Sequence, residues 1–333
     1  MTATVDELTV ETTERTVTTL VVEGKEVIAQ GTVALTLAAE GGGRLPDWTP
    51  GAHIDLHLGE YGMRQYSLCG DRRDSRTYRV AVKLDPTGRG GSRYVHDGLH
   101  VGDRLTFGGP RNSFRIYPSE SYLFVAAGIG VTPMLSMIHY ANRLGARWQC
   151  LFINRGCDSA VFLPELQGLV GESLGKGSLR FHDTTAGPCD LRQTMGELDG
   201  RTAVYACGPE RMLQELQSME AASPLPAPGL RVEHFTAPAF ADGPRSSFVV
   251  ELARSDRSLE VPADQTLLES VRAAGIRLLA SCEQGLCGTC ETEVLAGTPD
   301  HRDSVLEEHE RTAGNCIMPC VSRSASPVLR LDL

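Results

Sequence analysis

The sequence predicts a multidomain α+β protein. It reads as an all-β barrel or sandwich, then an alternating strand–helix domain, then a small mixed domain built around a cysteine-rich loop. Three observations predict this. Short β runs fill the chain from about Thr12 to Tyr117, broken by Gly, Pro or Asp every 8 to 15 residues. Apolar strands and helix-period runs then alternate up to Phe235, the pattern of a parallel sheet with right-handed crossovers. Half of the ten cysteines fall in the last 52 residues, three of them inside "SCEQGLCGTC" (Ser281–Cys290). The expected boundaries are 1–117, 118–235, a linker at 236–247, and 248–333.

The β runs are "TLVVEGKEVI", "TVALTLAAE", "HIDLHLGE", "RQYSLCG", "TYRVAVKL" and "DRLTFGGP". The second region opens with "SYLFVAAGIGVTPMLSMIHYANRLG", an apolar strand, a glycine turn and a helix. Further strands are expected at "WQCLFINR", "LRFHDTT", "TAVYACG" and "RVEHF", with a helix in "PERMLQELQSME". The stretch "TAPAFADGPRSS" lacks periodicity and is rich in Pro, Ala and Gly, which suits a linker. Beyond it, "FVVELARS" and "SLEVPA" suit a hairpin. "TLLESVRAAGI" places Leu267, Leu268, Val271, Ala274 and Ile276 on one face of a short helix.

Composition excludes several classes. The chain has 333 residues, 41% of them apolar, and a net charge of −10, which disfavours nucleic acid. The excess is uneven. Residues 248–333 carry 14 acidic and 8 basic side chains, a net of −6, suited to a solvated surface or to docking a basic partner. No apolar run is long enough to span a bilayer, so no membrane is expected. The first twenty residues lack a basic region followed by an apolar one, and a cytoplasmic location is the expectation. In a reducing compartment, clustered cysteines point to metal or redox chemistry rather than disulfides.

Cys282, Cys287 and Cys290 are spaced C-x4-C-x2-C. A tetrahedral zinc site uses paired C-x2-C knuckles, and only one such pair is present. The spacing is that of plant-type 2Fe–2S ferredoxins, which need a fourth, distant thiolate. Cys316 and Cys320 are the candidates. Gly285 and Gly288 let the backbone wrap close, so its N–H groups can face concentrated negative charge.

On these residues the C-terminal region resembles a plant-type ferredoxin domain, a β-grasp fold. "SCEQGLCGTC", "DHRD" (300–303) and "CVSRS" (320–324) are similar to the C-terminal domain of the phthalate dioxygenase reductase family. There the fourth ligand is the cysteine of C-V-S-R. The resemblance thus implies Cys282, Cys287, Cys290 and Cys320 as metal ligands and leaves Cys316 a spare thiol.

Arg64, Tyr66, Ser67 and Leu68 form R-x-Y-S-L, with Gln65 at the variable position. Alternation along a strand puts Arg64 and Tyr66 on one face and Ser67 on the other. A guanidinium grips phosphate with two bonds, and an aromatic ring stacks on a flavin. An ordinary strand could carry the same four residues. The motif followed by a glycine-rich segment resembles the flavin domain of the ferredoxin reductase superfamily. Here "AVKLDPTGRGGS" follows, opening on Ala81, Val82 and Lys83. It closes on Gly90, Gly91 and Ser92, whose backbone and hydroxyl donors suit a terminal phosphate. The phthalate dioxygenase reductase family shows nearly this string and binds FMN. No adenine-binding insertion is visible, so the resemblance implies FMN rather than FAD.

Gly128, Gly130, Thr132 and Pro133 belong to "GIGVTP", between a strand and a helix whose free N–H groups suit phosphate. Pro133 sits in the first turn, where no donor is needed. The third glycine of the common dinucleotide fingerprint is missing. The string is similar to the G-G-I-G-x-T-P motif of the same superfamily, with Ala127 in place of the first glycine. Cys207, Gly208 and Pro209 match its other nicotinamide motif, C-G-P, which implies a Rossmann-like domain. Phe235 matches the family's terminal aromatic, which covers the flavin; a packing role is the alternative. Asn154 and Arg155 end the strand where the adenosine ribose would lie. Arg155 favours NADP and Asp158 favours NAD. The family leans to NADH.

The resemblance covers nearly the whole chain and implies a reductase component. NAD(P)H gives two electrons at once, a cluster takes one, and flavin stands between them. Ser67, Thr132 and Cys207 are the residues expected beside the reacting flavin. No 2-His-1-carboxylate oxygenation site is recognisable, so electrons leave for a separate acceptor. A Rieske-type aromatic dioxygenase or O-demethylase is the expected partner of a monomeric reductase. The alternatives are a haem monooxygenase, a general diaphorase, or an iron–sulfur redox sensor.

Overall fold

Period-2 runs become strands where their alternate residues find a common core. β1 (Thr19–Ala29), β2 (Thr32–Ala39), β3 (His53–His57), β4 (Met63–Ser67), β5 (Thr77–Lys83) and β6 (Arg104–Arg111) form one antiparallel sheet, ordered β4-β3-β6-β1-β2-β5. These are coordinates of a computed structural model, which describes residues 18–199, 201–225, 229–236 and 245–333. Leu20, Val22, Leu35, Leu37, Ile54, Leu56 and Val80 are fully buried and fill the barrel. Each such side chain contributes about 1.5–3 kcal/mol. Among the described residues β4 and β5 are the two edges of this sheet. The single turn α1 (Gly91–Arg93) follows β5.

The second sheet is all parallel. β7 (Ser121–Ala127), α2 (Val131–Leu144), β8 (Arg147–Asn154), α3 (Leu163–Glu172) and β9 (Gly177–Asp183) run outward from the centre. α4 (Leu191–Gly196), β10 (Thr202–Cys207), α5 (Glu210–Ala222) and β11 (Leu230–Glu233) complete the other side. The strand order is β11-β10-β7-β8-β9. Phe124 and Phe152 pack with Met134, Leu135 and Leu166, while Val125 and Leu151 pack on the opposite face with Leu191, Leu213 and Leu216. Both faces are covered, which is why "YLFVAA" is apolar without alternation. The order reverses between β7 and β10, and a doubly wound sheet binds ligands at the carboxyl ends of such a pair.

The third sheet is mixed. β12 (Phe248–Leu252) and β13 (Arg257–Val261) form the expected hairpin. α6 (Leu267–Ala273) follows, its N-terminus closed by Thr266 and Glu269, each accepting a backbone N–H of the other. Then come β14 (Thr292–Ala296), β15 (Pro299–Asp300), α7 (Glu308–Ala313), β16 (Cys316–Ile317), β17 (Arg323–Ser324) and β18 (Val328–Leu331). The order is β13-β12-β18-β14-β16, with β12 and β18 parallel, and β15 pairs with β17 in a separate two-stranded sheet. Phe248, Val250, Val271, Leu329 and Leu331 form its core. The cysteine loop lies between α6 and β14 without regular structure. Residues 237–244 of the expected linker lie outside the described residues. Among the described residues no helix is long and apolar enough to cross a membrane.

Candidate functional site

A cavity of about 690 Å³ opens along the edges of the barrel. β4 gives Arg64, Gln65, Tyr66 and Ser67; β5 gives Ala81, Val82 and Lys83. Ser67 lines it together with Arg64 and Tyr66, as expected for residues beside a flavin. Burial raises the Tyr66 hydroxyl well above its ordinary value, so it stays protonated.

The cavity's far end suits phosphate. Gly91 and Ser92 line it beside Arg64. A Cβ on Gly91 would come within 3.0 Å of Arg64 Nε, so only glycine leaves that approach open. The Ser92 hydroxyl accepts from the Asp85 N–H at 3.0 Å and pins the loop between β5 and α1. Gly90 caps α1 at φ +85° but does not line the cavity.

The nucleotide motifs meet at the switch point. A Cβ on Gly130 would fall 2.3 Å from the Cys207 carbonyl oxygen and 3.0 Å from the Gly208 nitrogen. Glycine therefore lets the ends of β7 and β10 touch. Thr132 is buried and donates to the Ile129 carbonyl at 2.9 Å, closing the first turn of α2. Ile129 and Thr132 line the cavity, while Gly128, Gly130, Pro133, Cys207, Gly208 and Pro209 stand behind it. Asn154 and Arg155 lie apart from it. Asn154 Nδ2 donates to Gly156 O and Ser159 Oγ, both at 2.9 Å. The Asp183 carboxylate, at the end of β9, receives the Gly156 N–H at 3.0 Å and shapes the same loop.

Sequence reasoning missed Glu233. It ends β11, and its Oε2 accepts from Ser67 Oγ at 3.5 Å and lies 3.9 Å from Cys207 Sγ. Burial raises its carboxyl from 4.5 to about 8, although hydrogen bonds from Ser67 and Cys207 pull the other way. Burial, then the Glu233 charge, raises the Cys207 thiol well above its usual value. Ser67 and Glu233 line the cavity with Cys207 behind them, so a proton on Glu233 sits where the barrel meets the nucleotide sheet. Phe235, two positions on, lines the cavity and is 41% exposed.

The cysteine loop supplies the remaining wall through Cys282, Gln284 and Leu286. All four expected ligands are free thiols. Among the described residues, no three metal-binding side chains converge on one ion. Instead the sulfurs are paired. Cys290 and Cys320 lie 3.3 Å apart, and the Cys282 thiol beside Cys287 lowers the latter's thiol below its ordinary value. Two pairs suit a two-metal cluster better than a single tetrahedral ion. Cys282 Sγ also accepts from the N–H groups of Gln284 at 3.3 Å and Leu286 at 3.4 Å. Gly285, at φ +72°, lets the loop press on Val321 and Asp303, where a Cβ would come within 2.6 and 3.0 Å. The two flanking motifs join behind it: Arg302 N donates to Ser322 Oγ at 3.0 Å, which donates to buried Asp303. Cys316 stands outside the set, on β16. The residues fit a 2Fe–2S cluster, and the cavity beside them fits a flavin with a terminal phosphate.

Comparison with known proteins agrees with this geometry. Residues 250–325 match the family model "2Fe-2S iron-sulfur cluster binding domain". A solved phthalate dioxygenase reductase, described as a modular structure for electron transfer from pyridine nucleotides to [2Fe-2S], superposes with a TM-score of 0.67 at 33% identity, covering 95% of this chain and 97% of that one. The chain belongs to the phthalate dioxygenase reductase family. The heme-dependent oxidative N-demethylase beta subunit of Ectopseudomonas mendocina (strain ymp) is 40% identical over 296 residues, 87% of this chain and 90% of that protein. An intact type IV self-sufficient cytochrome P450 monooxygenase superposes with a TM-score of 0.86 at 40% identity; this chain is covered to 95% and spans 41% of that longer chain. As a member of the family, this protein is an electron-transfer oxidoreductase with a flavin barrel, a nucleotide domain and a C-terminal 2Fe–2S domain.

Proposed function

We propose that this reductase carries electrons from NADH, through FMN and the 2Fe–2S cluster, to a separate oxygenase. The observation that carries the reading is the shared wall. Cys282, an expected cluster ligand, lines the same cavity as Arg64, Tyr66 and Ser67. Flavin, when bound, turns a two-electron donor into single-electron deliveries. The chain's own residues position and insulate. Arg64, Gly91 and Ser92 hold the phosphate end, and Tyr66 offers its ring. Ser67, Glu233 and Cys207 hold a proton beside the nicotinamide approach, where Gly208 leaves room. Thr132 and Gly130 fix the ends of the nucleotide sheet. Cys282, Cys287, Cys290 and Cys320 bind the cluster.

The acceptor has two readings. A Rieske-type oxygenase follows from the family. A haem oxygenase is favoured by relatives at 40% identity, among them a heme-dependent demethylase subunit and a P450 monooxygenase. Anaerobic reduction of a purified Rieske oxygenase and of a P450 by the NADH-loaded reductase decides between them. The proposal predicts that one of them is reduced at least tenfold faster by the wild type than by the C320S variant, with NADH outpacing NADPH. Equal rates with and without the cluster overturn it.

A further inference from the structure

Asp55 lies on β3, one strand in from the cavity edge, and is 2% exposed. A buried carboxylate is stable only when its oxygens are paired. Gln65 Nε2 donates to Oδ1 at 3.0 Å from the register-paired position on β4. Arg111, at the end of β6, pairs with Oδ2. The third donor comes from another domain: Ser281 Oγ donates to Oδ2 at 2.7 Å, across 226 residues of sequence. His53 is buried beside Gln65, its Nε2 3.3 Å from the amide nitrogen, so it accepts and orients that amide. Burial, then the Arg111 charge, lowers the His53 imidazole below its ordinary value, against the opposing pull of the Asp55 charge.

Ser281 directly precedes Cys282, whose side chain forms both the cavity wall and the cluster loop. A hydrogen bond to a buried, doubly anchored carboxylate fixes that residue in all directions, whereas an exposed ion pair such as Arg272–Glu283 tethers its partner loosely. We propose that Asp55 is a positioning residue for the flavin-to-cluster step: through Ser281 it sets where Cys282 stands against the flavin cavity. This rests on the electron-transfer reading above. In the step it serves, reduced flavin loses one electron and the oxidised cluster gains it. Asp55 exchanges no proton and touches neither group. A different joint, Arg231 Nη1 to Glu307 Oε1 at 2.5 Å, ties the cysteine-loop domain to β11 of the nucleotide sheet rather than to the barrel and does not involve Ser281.

The test uses the full chain loaded with flavin and cluster, as wild type, Ser281→Ala, Ser281→Thr, Asp55→Asn and Glu307→Gln. Amide hydrogen exchange is followed at residues 283–286, and NADH-driven cytochrome c and ferricyanide reduction are measured in parallel. Ser281→Ala is expected to speed exchange at Gln284 and Leu286 about tenfold, equivalent to about 1.4 kcal/mol. It should lower the cytochrome c to ferricyanide ratio by a similar factor, with the KM for NADH and the flavin content unchanged. Ser281→Thr, which keeps the hydroxyl, restores both; Asp55→Asn resembles Ser281→Ala. Glu307→Gln leaves exchange in the cysteine loop at the wild-type rate. Unchanged loop exchange and an unchanged ratio in Ser281→Ala overturn the proposal, as does equal loosening by Glu307→Gln. A wild type that reduces ferricyanide but holds no cluster refutes the functional reading instead, and the exchange arm still decides whether Asp55 grips the loop.

Discussion

Replacing Glu233 with glutamine tests whether a carboxyl proton is stored at the domain junction. The folded protein raises this carboxyl from 4.5 to about 8, chiefly through burial. Between those two values the folded chain binds a proton that the unfolded chain releases. Its contribution is therefore fully present below pH 4.5, declines as pH rises, and is gone above about pH 8. At 1.36 kcal/mol per pH unit, the upper limit is about 5 kcal/mol. Glu233 keeps part of its surface in solvent, and screening lowers the expected value to about 2 kcal/mol. Urea unfolding of the flavin-free chain at half-unit steps from pH 5 to 9 measures it. Wild type should lose about 2 kcal/mol across this window relative to Glu233→Gln, whose side chain does not titrate. NADH–ferricyanide activity should fall in wild type with a limb near pH 8 that is absent from the variant. Parallel stability curves would refute the buried-proton argument, and an identical activity limb in the variant would assign that limb to another group.

Two further outcomes follow from the same geometry. Cys320→Ser removes one member of the Cys290–Cys320 pair; iron, acid-labile sulfide and cytochrome c reduction should be lost, while ferricyanide reduction through the flavin persists. Gly130→Ala drives a Cβ to within 2.3 Å of a backbone oxygen; thermal unfolding should show a loss of about 1–3 kcal/mol, with the KM for NADH raised by a larger factor than kcat is lowered.

Local signals in the sequence located much of this molecule. The six β runs of the barrel needed only alternation and breakers, and all six appear as strands. The unbroken apolar "YLFVAA" marked a strand covered on both faces. The C-x4-C-x2-C spacing and C-V-S-R singled out four cysteines that the fold brings together as two pairs. What escaped were contacts made by distant segments. Glu233 meets Ser67 across 166 residues, and nothing in "RVEHF" distinguishes a buried carboxyl from a solvated one. Asp55 sits in "HIDLHLGE", where a charged residue between apolar neighbours suggests the wet face of a strand. It is buried because Arg111 and Ser281 arrive from elsewhere.

The central claim is that two centres in one chain exchange electrons across the wall formed by Cys282. Anaerobic addition of NADH to the loaded protein, followed by visible absorbance, tests it most directly. The account predicts that the flavin and iron–sulfur bands both bleach in wild type, and that only the flavin band bleaches in Cys320→Ser. A cluster band that stays oxidised while the flavin is fully reduced would contradict it.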